Sequence, residues 1–161
     1  MTNARGTIAG VSESTLSRRP TRLLSLAAMH ADRRVNEGLA TADARKWHYA
    51  VLSTLEQFGP ASQAELSQRT GIYRSDLVAV INELTERGQV DRSPNPADRR
   101  QNVITLTEAG HRQLLALDEL LAAAERDVLA PLTDAEREQL VDLLTRLVRH
   151  HGSWDGNTLR K

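Results

Sequence analysis

A chain of 161 residues without a single cysteine must fold on packing alone, which excludes a disulfide framework, a thiolate metal site and cysteine-based redox sensing. Its formal net charge of zero offers no global attraction to nucleic acid or to an anionic surface, so any such affinity has to be local. There is no signal-peptide-length apolar stretch near the start and no run of roughly 18 apolar residues anywhere, so the expectation is a soluble, cytoplasmic protein with no membrane partner.

Leu and Ala supply most of the apolar residues and aromatics only 3%, which favours helix throughout. Residues 1–19 are polar and small and read as a flexible N-terminal segment. Pro20 opens the first helical pattern, with Leu23, Ala27, His30 and Arg34 on one face. A second helix follows Thr41 and runs through KWHYAVLSTLEQF, striped by Val51, Leu52, Leu55 and Phe58 and stopped by Gly59-Pro60. Ser62-x-x-Glu65 is a capping box that starts a short third helix, which ends where Gly71 can take a left-handed cap. A fourth helix covers about 74–87, buries Leu77, Val80, Ile81 and Leu84, and ends at Gly88. Two short helices joined by a tight glycine turn are a helix-turn-helix.

The strand-like runs Val90–Arg92 and Val103–Leu106 flank a loop rich in Pro, Asn and Asp, the pattern of a β-hairpin with a long basic tip. Thr107 caps a fifth helix in which Leu114, Leu117, Leu121, Ala124 and Val128 form a 3-4-3-4 seam that calls for a partner helix. Pro131 ends it. Thr133-x-x-Glu136 caps a sixth helix striped by Leu140, Leu143, Leu144, Leu147 and Val148, and 150–161 reads as a flexible tail.

The order helix, helix, helix-turn-helix, hairpin, two long helices resembles the MarR family of winged helix-turn-helix regulators over about residues 20–149. The closest local match is Asp98-Arg99-Arg100, then the apolar strand, then Leu106-Thr107-x-x-Gly110, which looks like that family's wing signature. AELSQRTGIYRSDL and LTERGQVDR support it in the helix-turn-helix and at the exit into the wing. The resemblance implies a mainly α fold: one winged helix-turn-helix domain over 20–149, with a small β-hairpin wing and long N- and C-terminal dimerisation helices. The DNA-binding lobe would span about 60–106, and the dimerisation lobe about 20–40 plus 108–149. It also implies a homodimer on double-stranded DNA, a ligand-responsive repressor on a pseudo-palindromic operator. The alternative is a helical interaction protein on the same fold that has lost sequence-specific DNA binding.

On this reading Arg74, Ser75, Asp76, Val78, Ala79 and Asn82 of the fourth helix face DNA, with Glu83 on the flank and Asn82 suited to adenine. Asp76, Val78 and Ala79 depart from the hydroxyl residues and Arg more usual there. In the wing, Arg100 would enter the minor groove and Asp98 would orient it, beside Arg99. The resemblance further implies a small-molecule effector, an aromatic carboxylate or phenolic compound, for which His30, Arg34, Trp47 and His48 supply two imidazoles, a cation and an indole. No nucleophile with base and orienter, Gly-rich phosphate loop or paired-carboxylate motif is present, so no enzyme, catalytic residue or cofactor is expected. His111 and the adjacent His150-His151 do not have zinc-ligand spacing, so no metal site is expected.

Overall fold

The computed structural model describes residues 18–96 and 101–151. Its elements are α1 (Pro20–Ala40), α2 (Lys46–Phe58), β1 (Ala61–Ser62), α3 (Gln63–Thr70), α4 (Arg74–Glu86), β2 (Val90–Pro94), β3 (Asn102–Leu106), α5 (Glu108–Val128) and α6 (Asp134–His151). Local chemistry sets most of these boundaries. Ser62 Oγ accepts from the Glu65 backbone N–H at 3.3 Å, while the Glu65 carboxylate accepts from Ser62 N at 2.8 Å. Thr133 and Glu136 repeat this reciprocal pattern before α6. Thr107 Oγ1 accepts from Gly110 N at 3.0 Å and donates to the Gly88 carbonyl, so the α5 cap also grips the turn that leaves α4. Each such cap satisfies backbone donors that have no partner within their helix.

The three strands form one antiparallel sheet in the order β1-β3-β2. The hairpin register pairs Val90 with Leu106 and Arg92 with Ile104, as the alternation of the two strand runs requires. β1 was not legible in the sequence: Ala61 and Ser62 pair with Ile104 and Val103, and two residues carry no periodicity of their own. The sheet closes against α2, α3 and α4 around a core that includes Leu52, Leu55, Leu66, Leu77, Ile81, Leu84, Val90 and Ile104. The four residues assigned to the inner face of α4 are all buried.

Two apolar faces differ from their sequence reading. The α5 seam finds its partner within the same chain: α1 and α2 lie against it, with Leu114, Leu117 and Ala124 buried and Val35, Leu39 and Tyr49 packed with them. At Gly38 the two helices run close, and a Cβ there would make an ordinary 3.6 Å contact with the Leu120 carbonyl oxygen. Consequently the face of α1 that packs on the chain's own core is Ala31, Val35, Gly38 and Leu39, while Leu23, Ala27, His30 and Arg34 stay exposed. Among the described residues the α6 stripe has no such partner. Leu143, Leu147 and Val148 are exposed, as are Leu23, Leu24, Leu26 and Met29 at the start of α1.

Among the described residues no helix is long and apolar enough to cross a membrane.

Candidate nucleic-acid interface

The α3–α4 turn is rigid for reasons visible in its hydrogen bonds. Gly71 sits at φ 73°, ψ 3°, the left-handed region that a side chain disfavours. Thr70 Oγ1 donates to the Leu66 carbonyl at 2.7 Å and accepts from Ile72 N, and Ser67 Oγ donates to the Ile72 carbonyl at 2.7 Å. Ile72 is thereby drawn into the core and the next residue, Tyr73, is turned out to 80% exposure at the head of α4.

From that head, α4 presents Arg74, Ser75, Val78, Ala79, Asn82 and Glu86 outward, with Asp76 half-buried. All but Glu86 are helix residues singled out for DNA contact, and none is needed for the core. Beside them Arg74 joins Ser62, Gln63 and Ala64 of the α3 start and Gln101 and Asn102 of the β3 start around a polar hollow of about 370 Å³. Asp98, Arg99 and Arg100 of the hairpin tip lie outside the described residues.

Glu83 does not face outward as its position on the helix flank implied. It turns under α4 to α2, where both its oxygens accept from Arg45 Nη2 at 2.5–2.6 Å and Oε2 lies 2.9 Å from His48 Nε2. His48 is 2% exposed. Its Nδ1 accepts from the Arg45 backbone N–H at 3.2 Å, which leaves Nε2 as the protonated nitrogen facing the carboxylate. Burial pushes the His48 pKa below its usual value, with the Arg45 and Arg87 cations adding to the fall and Glu83 opposing it. The Arg45 hydrogen bond holds the Glu83 carboxyl below the ordinary carboxylate range. One turn on, Arg87 donates to the Asp43 carbonyl and lies 3.0 Å from its carboxylate. The underside of α4 is therefore clamped to α2 and to the α1–α2 loop by charge, with the hydrophobic face beside it.

Asn82, read from sequence as free to contact adenine, is joined to the wing: Arg92 Nη2 donates to its Oδ1 at 2.6 Å. Sequence reasoning passed over Arg92 and Tyr73. For Tyr73 a signal existed, since the residue after a left-handed glycine and a buried apolar residue heads the next helix. For Arg92 the signal was the period-2 alternation with Val90.

The effector residues are only partly brought together. His30 and Arg34 share a hollow of about 480 Å³ between α1 and the end of α5 with Ala27, Arg33, Asp127 and Val128. Arg34 Nε lies 3.0 Å from Asp127 Oδ2 there. Trp47 and His48 do not line it: Trp47 is exposed on α2 and His48 lies beneath Glu83, since adjacent helix residues face different ways. His111 pairs with Glu56 at 3.1 Å, and among the described residues no three metal-ligating side chains converge.

A helix-turn-helix with a three-stranded sheet whose hairpin projects beside the second helix defines a winged helix-turn-helix protein. A family model described as MarR family matches residues 43–101, the stretch from the α1–α2 loop into the wing. A putative transcriptional regulatory protein for the hcr operon of Thauera aromatica is 32% identical over 109 residues, 68% of this chain and 66% of the relative. The HTH-type transcriptional repressor NicR of Pseudomonas putida is 30% identical over 100 residues, 62% of this chain and 63% of the relative. The match thus spans slightly less than two thirds of either curated relative. Among solved structures, the PcaV transcriptional regulator of Streptomyces coelicolor in complex with its natural ligand superposes with a TM-score of 0.69 at 27% identity, covering 88% of this chain and 98% of that one. Over these stretches the chain is similar to MarR-family regulators in sequence and in fold.

Proposed function

We propose that the protein is a ligand-responsive transcriptional repressor that binds a pseudo-palindromic DNA operator as a homodimer. The observation that carries this reading is the division of labour on α4: its inner face is buried, its flank is pinned by Glu83, and its outer face from Arg74 to Asn82 has no packing role. A relative at 30% identity bears the name of a repressor, and a structural neighbour binds a natural ligand. Both the exposed start of α1 and the α6 stripe are apolar surface that a second copy would cover, giving two-fold symmetry. Half-sites would then lie about one helical turn, roughly 10 bp, apart.

In this reading Arg74, Ser75, Asp76, Val78, Ala79 and Asn82 lie along the major groove, with Asp98, Arg99 and Arg100 of the wing at the minor groove. His30 and Arg34 supply a cationic corner for an aromatic carboxylate or phenolic effector, with Trp47 and His48 outside that hollow. The protein acts in the cytoplasm, without enzymatic chemistry, metal or cofactor. Net neutrality and the acidic Asp76 and Glu86 on the α4 face favour the alternative of an interaction protein without sequence-specific DNA binding.

A gel shift with the DNA upstream of the protein's own gene separates the two. Specific binding is expected, and Arg100→Ala should weaken it about ten- to a hundredfold. A folded dimer that binds neither this DNA nor any sequence from a random pool sinks the regulator reading.

A further inference from the structure

The Asn82–Arg92 bond changes what this part of the surface can recognise. Alternation along β2 puts Arg92 on the same face as Val90, which is buried against the helices. Two residues further out the core has ended, and the long Arg92 side chain reaches the exposed face of α4 instead. Arginine carries only donors, so whichever way the carboxamide is turned, the atom facing Arg92 is its oxygen. What Asn82 has left for a ligand is its NH2 group and the second lone pair of an oxygen that already serves a cation, and what Arg92 has left is the rest of its N–H set.

We propose that Asn82 and Arg92 form one donor-rich contact unit on DNA at the junction of recognition helix and wing, with Arg92 the contacting group and Asn82 the residue that positions it. The inference rests on the DNA-binding reading above and says what that site takes. Asparagine reads adenine by accepting from N6 and donating to N7 at once. With Oδ1 already bonded to the guanidinium, the adenine N6 amino group would have to share that one oxygen with a cation and would stand beside further donors. The unit matches groups that only accept: phosphate oxygens, or O6 and N7 of guanine. The neutrality of Asn82 is essential to this. Arg45 and Arg87 are each held by a carboxylate, Glu83 and Asp43, whereas Arg92 is held by an amide and, among the described residues, pairs with no carboxylate.

The test measures operator affinity of the full chain at several salt concentrations, for the parent and for Arg92→Ala, Asn82→Ala, Asn82→Asp and the double alanine variant. Arg92→Ala is expected to weaken binding about tenfold and to make the salt dependence shallower by about one unit per protomer. Asn82→Ala should weaken binding less, and the double variant should be no weaker than Arg92→Ala alone, because Asn82 acts through Arg92. Asn82→Asp is the decisive variant. It keeps a partner for Arg92 and should preserve the melting temperature, yet bind more weakly than Asn82→Ala because it neutralises the contacting charge.

Selection from random DNA separates the two sources of acceptor: a phosphate contact lowers affinity uniformly, whereas a guanine contact loses one G·C preference in each half-site. Parental affinity in Arg92→Ala, or parental affinity in Asn82→Asp, overturns the proposal while leaving the DNA-binding reading intact. A parent that binds no DNA overturns both.

Discussion

Gly110 and Gly38 both lie within helices, and replacing each with alanine should move stability in opposite directions. A Cβ on Gly110 would stand 2.0 Å from the Gln89 carbonyl oxygen, 3.0 Å from its carbon and 2.7 Å from Leu106 Cδ1. That carbonyl is held in place, since it accepts from Thr107 N at 3.1 Å, and Thr107 in turn grips Gly88 and caps α5. Relief therefore requires the root of β2 to part from the start of α5, with loss of the cap. Overpacking typically costs about 1–3 kcal/mol, and a clash with anchored backbone belongs at the upper end or beyond. At about 2–4 °C per kcal/mol for a chain of this size, a cost of about 3 kcal/mol lowers Tm by about 6–12 °C. At Gly38 the nearest atom is at 3.6 Å, an ordinary contact. There the gain is the helix preference of alanine over glycine, about 0.5–1 kcal/mol at most, or a rise in Tm of about 1–4 °C. Thermal unfolding followed by circular dichroism decides it, with denaturant midpoints as a second measure. A Gly110→Ala protein melting within a degree of the parent would show that the wing root gives way freely and that the reasoning is wrong.

His48 predicts a pH dependence with a definite sign. Its folded pKa lies below the ordinary 6.5, so as pH falls the unfolded chain takes up the proton first. Stability is complete above about pH 6.5 and declines below it until the folded-state value is passed, and Glu83 adds its own loss only below the usual carboxylate range. Urea midpoints between pH 8 and 5 should fall for the parent and fall less for His48→Gln, and equal slopes would refute the assignment. Leu147→Asp, on the exposed α6 stripe, should convert a dimer to a monomer in light scattering without unfolding the winged domain, and a dimer that persists would place the interface elsewhere. Arg34→Ala should blunt the effect of aromatic carboxylates on DNA binding while leaving affinity in their absence unchanged, because a ligand acts only through its differential affinity for the two states. If this variant instead dissociates the dimer, the Arg34–Asp127 pair is structural.

Features encoded over three or four residues were legible directly. The Ser62, Thr107 and Thr133 caps, the left-handed Gly71 and the buried stripe of α4 depend on hydrogen bonds and periodicities within a single turn of chain, so residue type and spacing suffice. The helix-turn-helix and its outward residues followed from them. What depended on distant partners did not show. β1 exists only because Ile104 and Val103 arrive beside it, and the α5 seam is filled by the chain's own α1 and α2, although a 3-4-3-4 pattern does not say whose helix completes it. Glu83 was placed toward DNA because helix geometry fixes an angle and cannot reveal that Arg45 and His48, 38 and 35 residues away, draw the carboxylate inward. Asn82 was read as free for the same reason, and Arg92 claims its oxygen from across the wing. Charged side chains are long and find their partners in space, so the recognition surface was decided by packing that brings separate elements within reach, while the elements themselves were already determined by the local sequence.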